Sequence, residues 1–149
     1  MGYTTRFQGE LKFTQEISIP QLKKLQSMFG EDCREHPEWG DARGLYYIDF
    51  EMTKDYSGLQ HSGAEKSYDA EKQVNVILRE MRKEWPEFGL TGQLAAQGED
   101  VEDRWALVIE ADGLAHKRKI AITGTRVKCP DCGHKFIVES PDNGSAGIP

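Results

Sequence analysis

The sequence predicts an α+β fold: a mostly antiparallel sheet with two amphipathic helices on one face, followed by a C-terminal zinc-knuckle-like turn. Three observations predict it. Several segments alternate between apolar and polar residues, as half-buried strands do. Two segments carry apolar residues at helical spacing. Asp112-Gly113, between two alternating segments, is a strong signal for a two-residue β-hairpin turn.

The first strand and the first helix are predicted at the N-terminus. Residues 3–13 alternate between an apolar and a polar face, which indicates a strand. The helix is expected to begin after Ser18, a favourable N-cap, and Gln21 three residues later completes a capping box. Gly30 ends the helix, because glycine readily adopts the left-handed conformation found just past helix ends.

The middle of the chain adds a second strand and a second helix. Residues 31–44 are polar and irregular, residues 45–53 alternate as a strand, and residues 54–66 are expected to form a long polar loop. Residues 69–85 have one apolar stripe at helical spacing, and Pro86 stops that helix.

The last part of the chain is predicted to be a meander. Residues 90–97, 105–111 and 114–122 alternate, and a short strand is expected at 136–138. The order is therefore β-α-β-α-β-β-β, followed by the knuckle. The apolar faces of these elements define the expected core: Phe7, Leu11, Phe13, Leu22, Leu25, Ile48, Phe50, Ile77, Leu78, Met81, Leu107 and Ile109.

The composition bounds the class of protein. With 149 residues, 38% of them hydrophobic, the chain is long enough for one domain with a real core. We expect an α+β domain over 1–126, a zinc-ribbon-like arm over 127–139 packed on it, and a disordered tail over 140–149. No apolar run approaches a membrane span, and no export signal opens the chain. Three cysteines, an odd number, favour a reducing cytoplasm.

The strongest local motif is Cys129-Pro130-Asp131-Cys132-Gly133-His134, which is similar to one arm of a zinc ribbon. Two residues between the cysteines allow both thiolates to reach one metal from a tight turn. Zinc is therefore the expected cofactor, held by Cys129 and Cys132, with Cys33 and His36 of a C-x-x-H pair as the expected completing ligands. His134, His61 or a second copy of the chain are alternative sources of ligands. The two cysteines of the motif could also be a redox pair, or an unmetallated relic of a metal site.

An acidic run separates two of the predicted strands. Within residues 98–103, four carboxylates could dock a basic protein partner: Glu99, Asp100, Glu102 and Asp103. They could also imitate a phosphate backbone, or hold Mg²⁺ or Ca²⁺, although their spacing fits no calcium loop. The plainest interpretation is a solvated turn whose charges oppose aggregation.

Basic residues concentrate near the cysteine pair and suggest a different partner. Lys128 and Lys135 flank the knuckle and could contact the phosphates of a nucleic acid. The net charge of −6 argues against a protein that grips nucleic acid through long-range attraction.

An enzyme is the third possibility. The sequence contains no glycine-rich phosphate loop, no Walker lysine and no nucleophile elbow. No nucleophile is paired with a base at recognisable spacing. Any catalytic pocket is expected near a small set of polar residues: Tyr46, Tyr47, Asp49 and His116.

Four segments of the chain carry a resemblance to other proteins: Gly2-Tyr3-Thr4-Thr5-Arg6-Phe7-x-Gly9, Leu90-Thr91-Gly92, Gly98-Glu99-Asp100 and Asp103-x-Trp105-x-Leu107-x-Ile109. Together they resemble a group of small uncharacterised bacterial and phage proteins. The resemblance implies a fold and a bacterial or phage setting, and it implies no activity. The cysteine segment separately resembles ribbon arms found at the ends of many bacterial proteins.

Together these features predict a non-enzymatic accessory protein that binds a macromolecule. Its concrete form would be a phage-encoded inhibitor of a host defence system, of the anti-CRISPR kind, that uses the acidic run and neighbouring exposed aromatic residues as its contact surface. A nucleic-acid-binding module that uses the basic knuckle is the first alternative, and an enzyme with an unrecognised pocket is the second.

Overall fold

A computed structural model describes residues 4–39 and 45–120, together with the strand segments 125–128 and 135–138. It confirms the α+β fold, because a six-stranded antiparallel sheet packs with two α-helices. The elements of this body are β1 (Arg6–Phe13), α1 (Ile19–Met28), β2 (Phe50–Met52), β3 (Gly58–His61), α2 (Ala70–Glu84), β4 (Leu90–Gln97), β5 (Arg104–Ile109) and β6 (Ala115–Lys119). The strands lie side by side in the order β2-β3-β1-β4-β5-β6. Two short 3-10 helices, Cys33–Glu35 and Pro37–Trp39, follow α1.

The start and end of α1 follow the predicted signals. The Ser18 hydroxyl accepts a hydrogen bond from the Gln21 amide, and the Gln21 side chain accepts one from the Ser18 amide at 2.8 Å. These two bonds satisfy amides that a helix leaves unpaired at its N-terminus. Just past the helix, Gly30 takes a φ of +75°, as expected for the residue that ends it.

Side chains of α2 attach this helix to the sheet. Asn75 forms two hydrogen bonds with the backbone of Ala115 at the start of β6, accepting from its N–H at 2.7 Å and donating to its carbonyl at 3.0 Å. Arg82 donates to the carbonyls of Phe88 and Gly113, which lie before β4 and in the β5–β6 turn. The helix is therefore positioned by backbone contacts at two places as well as by its apolar stripe.

The hydrophobic core contains the apolar faces of both helices and of the sheet. Four of the expected core residues are only half-buried: Phe7, Phe13, Leu22 and Ile109. The others are buried: Leu11, Leu25, Ile48, Phe50, Ile77, Leu78, Met81 and Leu107.

The structure corrects three predicted boundaries. The polar segment 54–66 is not a continuous loop, because it contains β3. The sequence pattern did not predict this strand, because the segment contains polar side chains and Gly58. Glycine is required at position 58, since a Cβ there would lie 2.0 Å from the Leu11 carbonyl oxygen. The strand predicted at 45–53 is shorter and is limited to β2. The predicted β5–β6 turn contains only Asp112 and Gly113. In the structure the Glu110 amide donates to the Leu114 carbonyl, so the turn also includes Ala111.

The C-terminal segment contributes a separate strand pair. Strands β7 (Thr125–Lys128) and β8 (Lys135–Val138) pair antiparallel, and β8 includes the short strand expected at 136–138. The cysteine turn between them and the expected tail at 140–149 lie outside the described residues. The proposed division at residue 126 stays a prediction. Within the part of the chain that the structure describes, no helix is long and apolar enough to cross a membrane.

Candidate functional site

The acidic run forms an ordered turn between β4 and β5. The Gly98 amide donates to the Asp103 carbonyl at 2.8 Å, and the Asp103 amide donates to the Asp100 carbonyl at 3.0 Å. The Gln97 side chain also donates to the Asp100 carbonyl at 2.9 Å. The four carboxylates predicted to contact a partner occupy this turn, and all except the half-buried Asp103 are exposed: Glu99, Asp100, Glu102 and Asp103.

The acidic turn contacts the start of β1. The Glu99 carboxylate accepts a hydrogen bond from the Thr4 amide at 2.6 Å. Because β1 begins and β4 ends at the same end of the sheet, this bond brings the N-terminal segment beside the turn. We call this region the acidic end of the sheet, defined by residues 4–8, the loop 62–69 after β3, and the turn 98–103.

A cavity of about 860 Å³ lies within the acidic end. Its walls are residues 4–8 of the first strand, His61 with residues 63–65, and residues 97–99. Among its lining residues, Glu65 and Glu99 are acidic and come from different walls, and Arg6 is basic. The volume is within the range of roughly 300–1,000 Å³ that is common for ligand sites.

The cavity lies where β1 and β3 separate. Strand β1 pairs with β4 along its whole length, but it pairs with β3 only at Leu11 and Lys12. Strand β3 follows β2 instead, with His61 opposite Phe50, and the Ser62 amide donates to the Asp49 carbonyl. Within the described residues, the edge of β1 over Arg6–Glu10 therefore has no strand partner on the β3 side. An unpaired strand edge is a template for an additional strand.

His61 bridges this separation with its ring. The ring stacks on Phe7 at a centroid distance of 4.1 Å and meets Phe50 edge-on at 5.5 Å. Burial lowers the pKa of His61, which favours the neutral imidazole. Because its Nδ1 lies 3.1 Å from the Gly63 amide, which can only donate, the proton of the neutral ring is on Nε2.

The position of that proton determines what His61 can do. Nε2 lies 2.9 Å from the Ser67 hydroxyl oxygen and therefore donates to it. A general base would have to accept the hydroxyl proton of Ser67 instead. The pair therefore fixes the loop 62–69, and in this geometry it does not activate Ser67 as a nucleophile.

Gln73 connects this loop to the helix α2, and no sequence pattern predicted this role. Its side chain is 2% exposed. It accepts from the Asp49 amide at 2.8 Å and donates to the Tyr68 carbonyl at 2.9 Å. A polar residue next to the apolar stripe of a helix is usually taken for a surface residue. Only the position of the two loops shows that it is a buried anchor.

The structure describes two of the four predicted zinc ligands, Cys33 and His36. Cys129 and Cys132 lie outside the described residues, so the zinc prediction stays a prediction. Cys33 is buried, and burial raises the pKa of its thiol to about 11. The ring nitrogens of His36 contact the carboxylates of Glu38 and Glu31, and both contacts raise the pKa of His36. Among the described residues, no three His, Cys, Asp or Glu side chains are grouped to hold a metal ion.

The residues considered for a catalytic pocket lie in two places: Tyr46, Tyr47 and the half-buried Asp49 precede β2, and His116 lies on β6. Tyr46 and Tyr47 are exposed, and the Arg34 guanidinium lies over the Tyr46 ring at 4.6 Å. His116 contacts Asp112 at 2.7 Å in the β5–β6 region. None of these residues lines the cavity at the acidic end.

The two lysines considered for nucleic-acid contact lie directly opposite each other. Lys128 of β7 pairs with Lys135 of β8 at the end of the hairpin that leads to the cysteine turn. Only the backbone register of this strand pair is described, so nucleic-acid contact by these two lysines stays a prediction.

Comparison with known proteins gives no relative: no protein-family model, no curated protein and no solved structure matches the chain.

Proposed function

We propose that the chain is a non-enzymatic accessory protein that binds a partner protein through the acidic end of its sheet. The observation that supports this most directly is the cavity of about 860 Å³ between the first strand and the loop 61–65, with the acidic turn on its rim. It combines a concave surface, exposed carboxylates and an unpaired strand edge in one place.

Charge favours a basic partner. Glu65 and Glu99 approach the cavity from two walls, against the single basic residue Arg6. The exposed Asp100 and Glu102 extend the same charge around the turn, and the whole chain has a net charge of −6. Complementary charge speeds association and selects partners more than it adds affinity.

The strand edge favours an extended segment of that partner. Peptides recognised at a sheet edge gain main-chain hydrogen bonds there, while pockets beside the edge select their side chains. Strand β1 offers such an edge over Arg6–Glu10, and Arg6, Phe7 and Gln8 of this edge line the cavity. Tyr68, 46% exposed in the bordering loop, adds the residue type that is enriched at protein interfaces. In a phage setting, the partner would be a protein of the host defence system.

A pull-down with charge-reversal variants tests the proposal. The intact tagged chain is used as bait in host lysate, with and without nuclease, beside the double variant Glu65→Lys/Glu99→Lys. Glu87→Lys, the same charge change at an exposed position outside the cavity, is the matched control. We expect a nuclease-resistant protein that binds the wild type and the control but binds the double variant about tenfold more weakly, equivalent to about 1.4 kcal/mol.

Two outcomes would reject the proposal. Equal recovery of the protein by the double variant would exclude the acidic end as the contact surface. Recovery of nucleic acid alone, lost on nuclease treatment and on reversal of Lys128 and Lys135, would support the nucleic-acid-binding alternative, whose affinity should fall steeply with salt.

A further inference from the structure

The turn between β2 and β3 holds a tyrosine in a backbone conformation that favours glycine. Tyr56 has a φ of +59°. The turn is closed by hydrogen bonds from the Thr53 amide to the Gly58 carbonyl and from the Tyr56 amide to the Thr53 carbonyl, both at 3.0 Å. In hairpin turns of this kind, glycine or asparagine commonly takes the left-handed position, because a larger side chain is strained there.

Neighbouring polar groups hold the strained turn in place. One oxygen of Asp55 accepts from the Thr53 hydroxyl at 2.8 Å, from the Ser57 amide at 3.1 Å and from the Ser57 hydroxyl at 2.6 Å. Lys12 also donates to the Ser57 hydroxyl at 2.8 Å. The Tyr56 side chain itself stays 56% exposed, so burial of the ring does not explain the strain. Strain that surrounding structure maintains often marks a functional position.

Tyr56 lines a groove in which apolar side chains alternate with polar ones. The groove has a volume of about 560 Å³ and lies between the β2–β3 turn and the segment that enters α1. Ile19, on the α1 side of the groove, is 63% exposed. Phe13, Ile17 and Leu22 are half-buried lining residues. Ile19 and Tyr56 are the two most exposed large apolar side chains within the part of the chain that the structure describes.

The charged side chains that line the groove are both acidic. Its lining includes the exposed carboxylates of Glu16 and Asp55 and contains no lysine or arginine. Hydrogen bonds from Ser57 and Thr53 lower the pKa of Asp55 to about 2, so its carboxylate stays ionised at physiological pH. The Lys12 ammonium lies at the edge of the groove, where it pairs with the Glu10 carboxylate at 2.7 Å, donates to Ser57 and also helps to lower the pKa of Asp55.

We propose that this groove binds a short apolar segment of a partner protein that carries a lysine or arginine beside its apolar side chains. The apolar side chains would cover Ile19 and Tyr56, and the basic side chain would meet Glu16 and Asp55. Strand β1 runs from the acidic end to the groove, so the groove is a second contact surface at the opposite end of the sheet. It does not depend on the acidic end.

Peptide selection on the intact chain tests this proposal. A displayed library of random peptides is selected on the immobilised protein, and the dissociation constants of enriched peptides are measured by fluorescence anisotropy. We expect the enriched peptides to combine apolar residues with lysine or arginine. They should bind the Tyr56→Phe variant as tightly as the wild type. They should bind the Tyr56→Asn and Ile19→Ser variants at least tenfold more weakly. Asparagine tolerates the left-handed conformation, so Tyr56→Asn should melt no lower than the wild type.

The melting temperature of Tyr56→Asn and the binding of a variant at the acidic end distinguish loss of the groove from unfolding and from binding elsewhere. Loss of binding in Tyr56→Asn with an unchanged or raised melting temperature supports the groove, because unfolding cannot explain it. Full binding by Tyr56→Asn, enrichment of acidic peptides, or no enrichment at all would overturn the proposal. The double variant Glu65→Lys/Glu99→Lys should keep the wild-type affinity, and a loss there would assign the peptides to the acidic end instead.

Discussion

Replacing Gln73 by methionine should destabilise the protein although the side chain keeps nearly the same length. Methionine fills the same buried space, but it has no donor for the Tyr68 carbonyl and only a weak acceptor for the Asp49 amide, which Gln73 contacts at 2.9 and 2.8 Å. Each lost bond leaves a polar backbone group without its partner, at a cost of about 1 to 1.5 kcal/mol. Gln73→Met should therefore lower the free energy of unfolding by about 2–3 kcal/mol.

Urea unfolding, followed by tryptophan fluorescence and circular dichroism, measures this loss. Gln26→Met provides a matched control, because Gln26 is exposed on α1, and surface changes usually stay within about 0.5 kcal/mol. Hydrogen exchange should also quicken across the loop 62–69 in Gln73→Met, since the loop loses its anchor to α2. If Gln73→Met is as stable as the control variant, Gln73 does not anchor these loops and the reasoning is refuted.

Three further changes test other contacts. Asn75→Ala should cost about 2–3 kcal/mol, since two hydrogen bonds to the buried Ala115 backbone are lost, and calorimetry should show a lower Tm. Gly58→Ala should cost about 3 kcal/mol or more in urea unfolding, because its Cβ would collide with the Leu11 carbonyl oxygen; wild-type stability would contradict the tight approach of β1 and β3. The lowered pKa of His61 predicts that its contribution to stability is complete above the unfolded-state pKa of about 6.5 and is lost as pH falls from there toward the folded-state pKa. His61→Asn should flatten this part of the stability–pH curve, and an identical curve would refute the buried neutral ring.

Local chemistry explains what could be predicted from the sequence. The capping box of Ser18 and Gln21 acts within four residues, so its bonds follow directly from the residue types and their spacing. The stripe of α2 likewise repeats within one helix, and all four of its central members, Val74, Ile77, Leu78 and Met81, are fully buried. Such features need no knowledge of distant contacts.

The features that the sequence did not predict depend on contacts between residues far apart in the chain. Strand β3 contains polar side chains and a glycine, which do not predict a strand. It is a strand because β1 pairs with it and approaches Gly58 closely. The cavity at the acidic end exists because β3 follows β2 rather than β1, and no spacing rule encodes that choice. The acidic run itself was visible in the sequence, but its closeness to Thr4 was not. Residue types therefore predicted the charge of the candidate surface, whereas its shape required the tertiary structure.

Hydrogen–deuterium exchange of the intact chain, with and without the captured partner protein, tests partner binding at the acidic end most directly. An extended segment added to β1 should protect amides within Arg6–Glu10 and slow exchange in the loop 62–65 and the turn 98–103. The Glu87→Lys control should show the same protection, and Glu65→Lys/Glu99→Lys should show much less. Protection confined to other parts of the chain, with Arg6–Glu10 exchanging as in the free protein, would contradict binding at the acidic end.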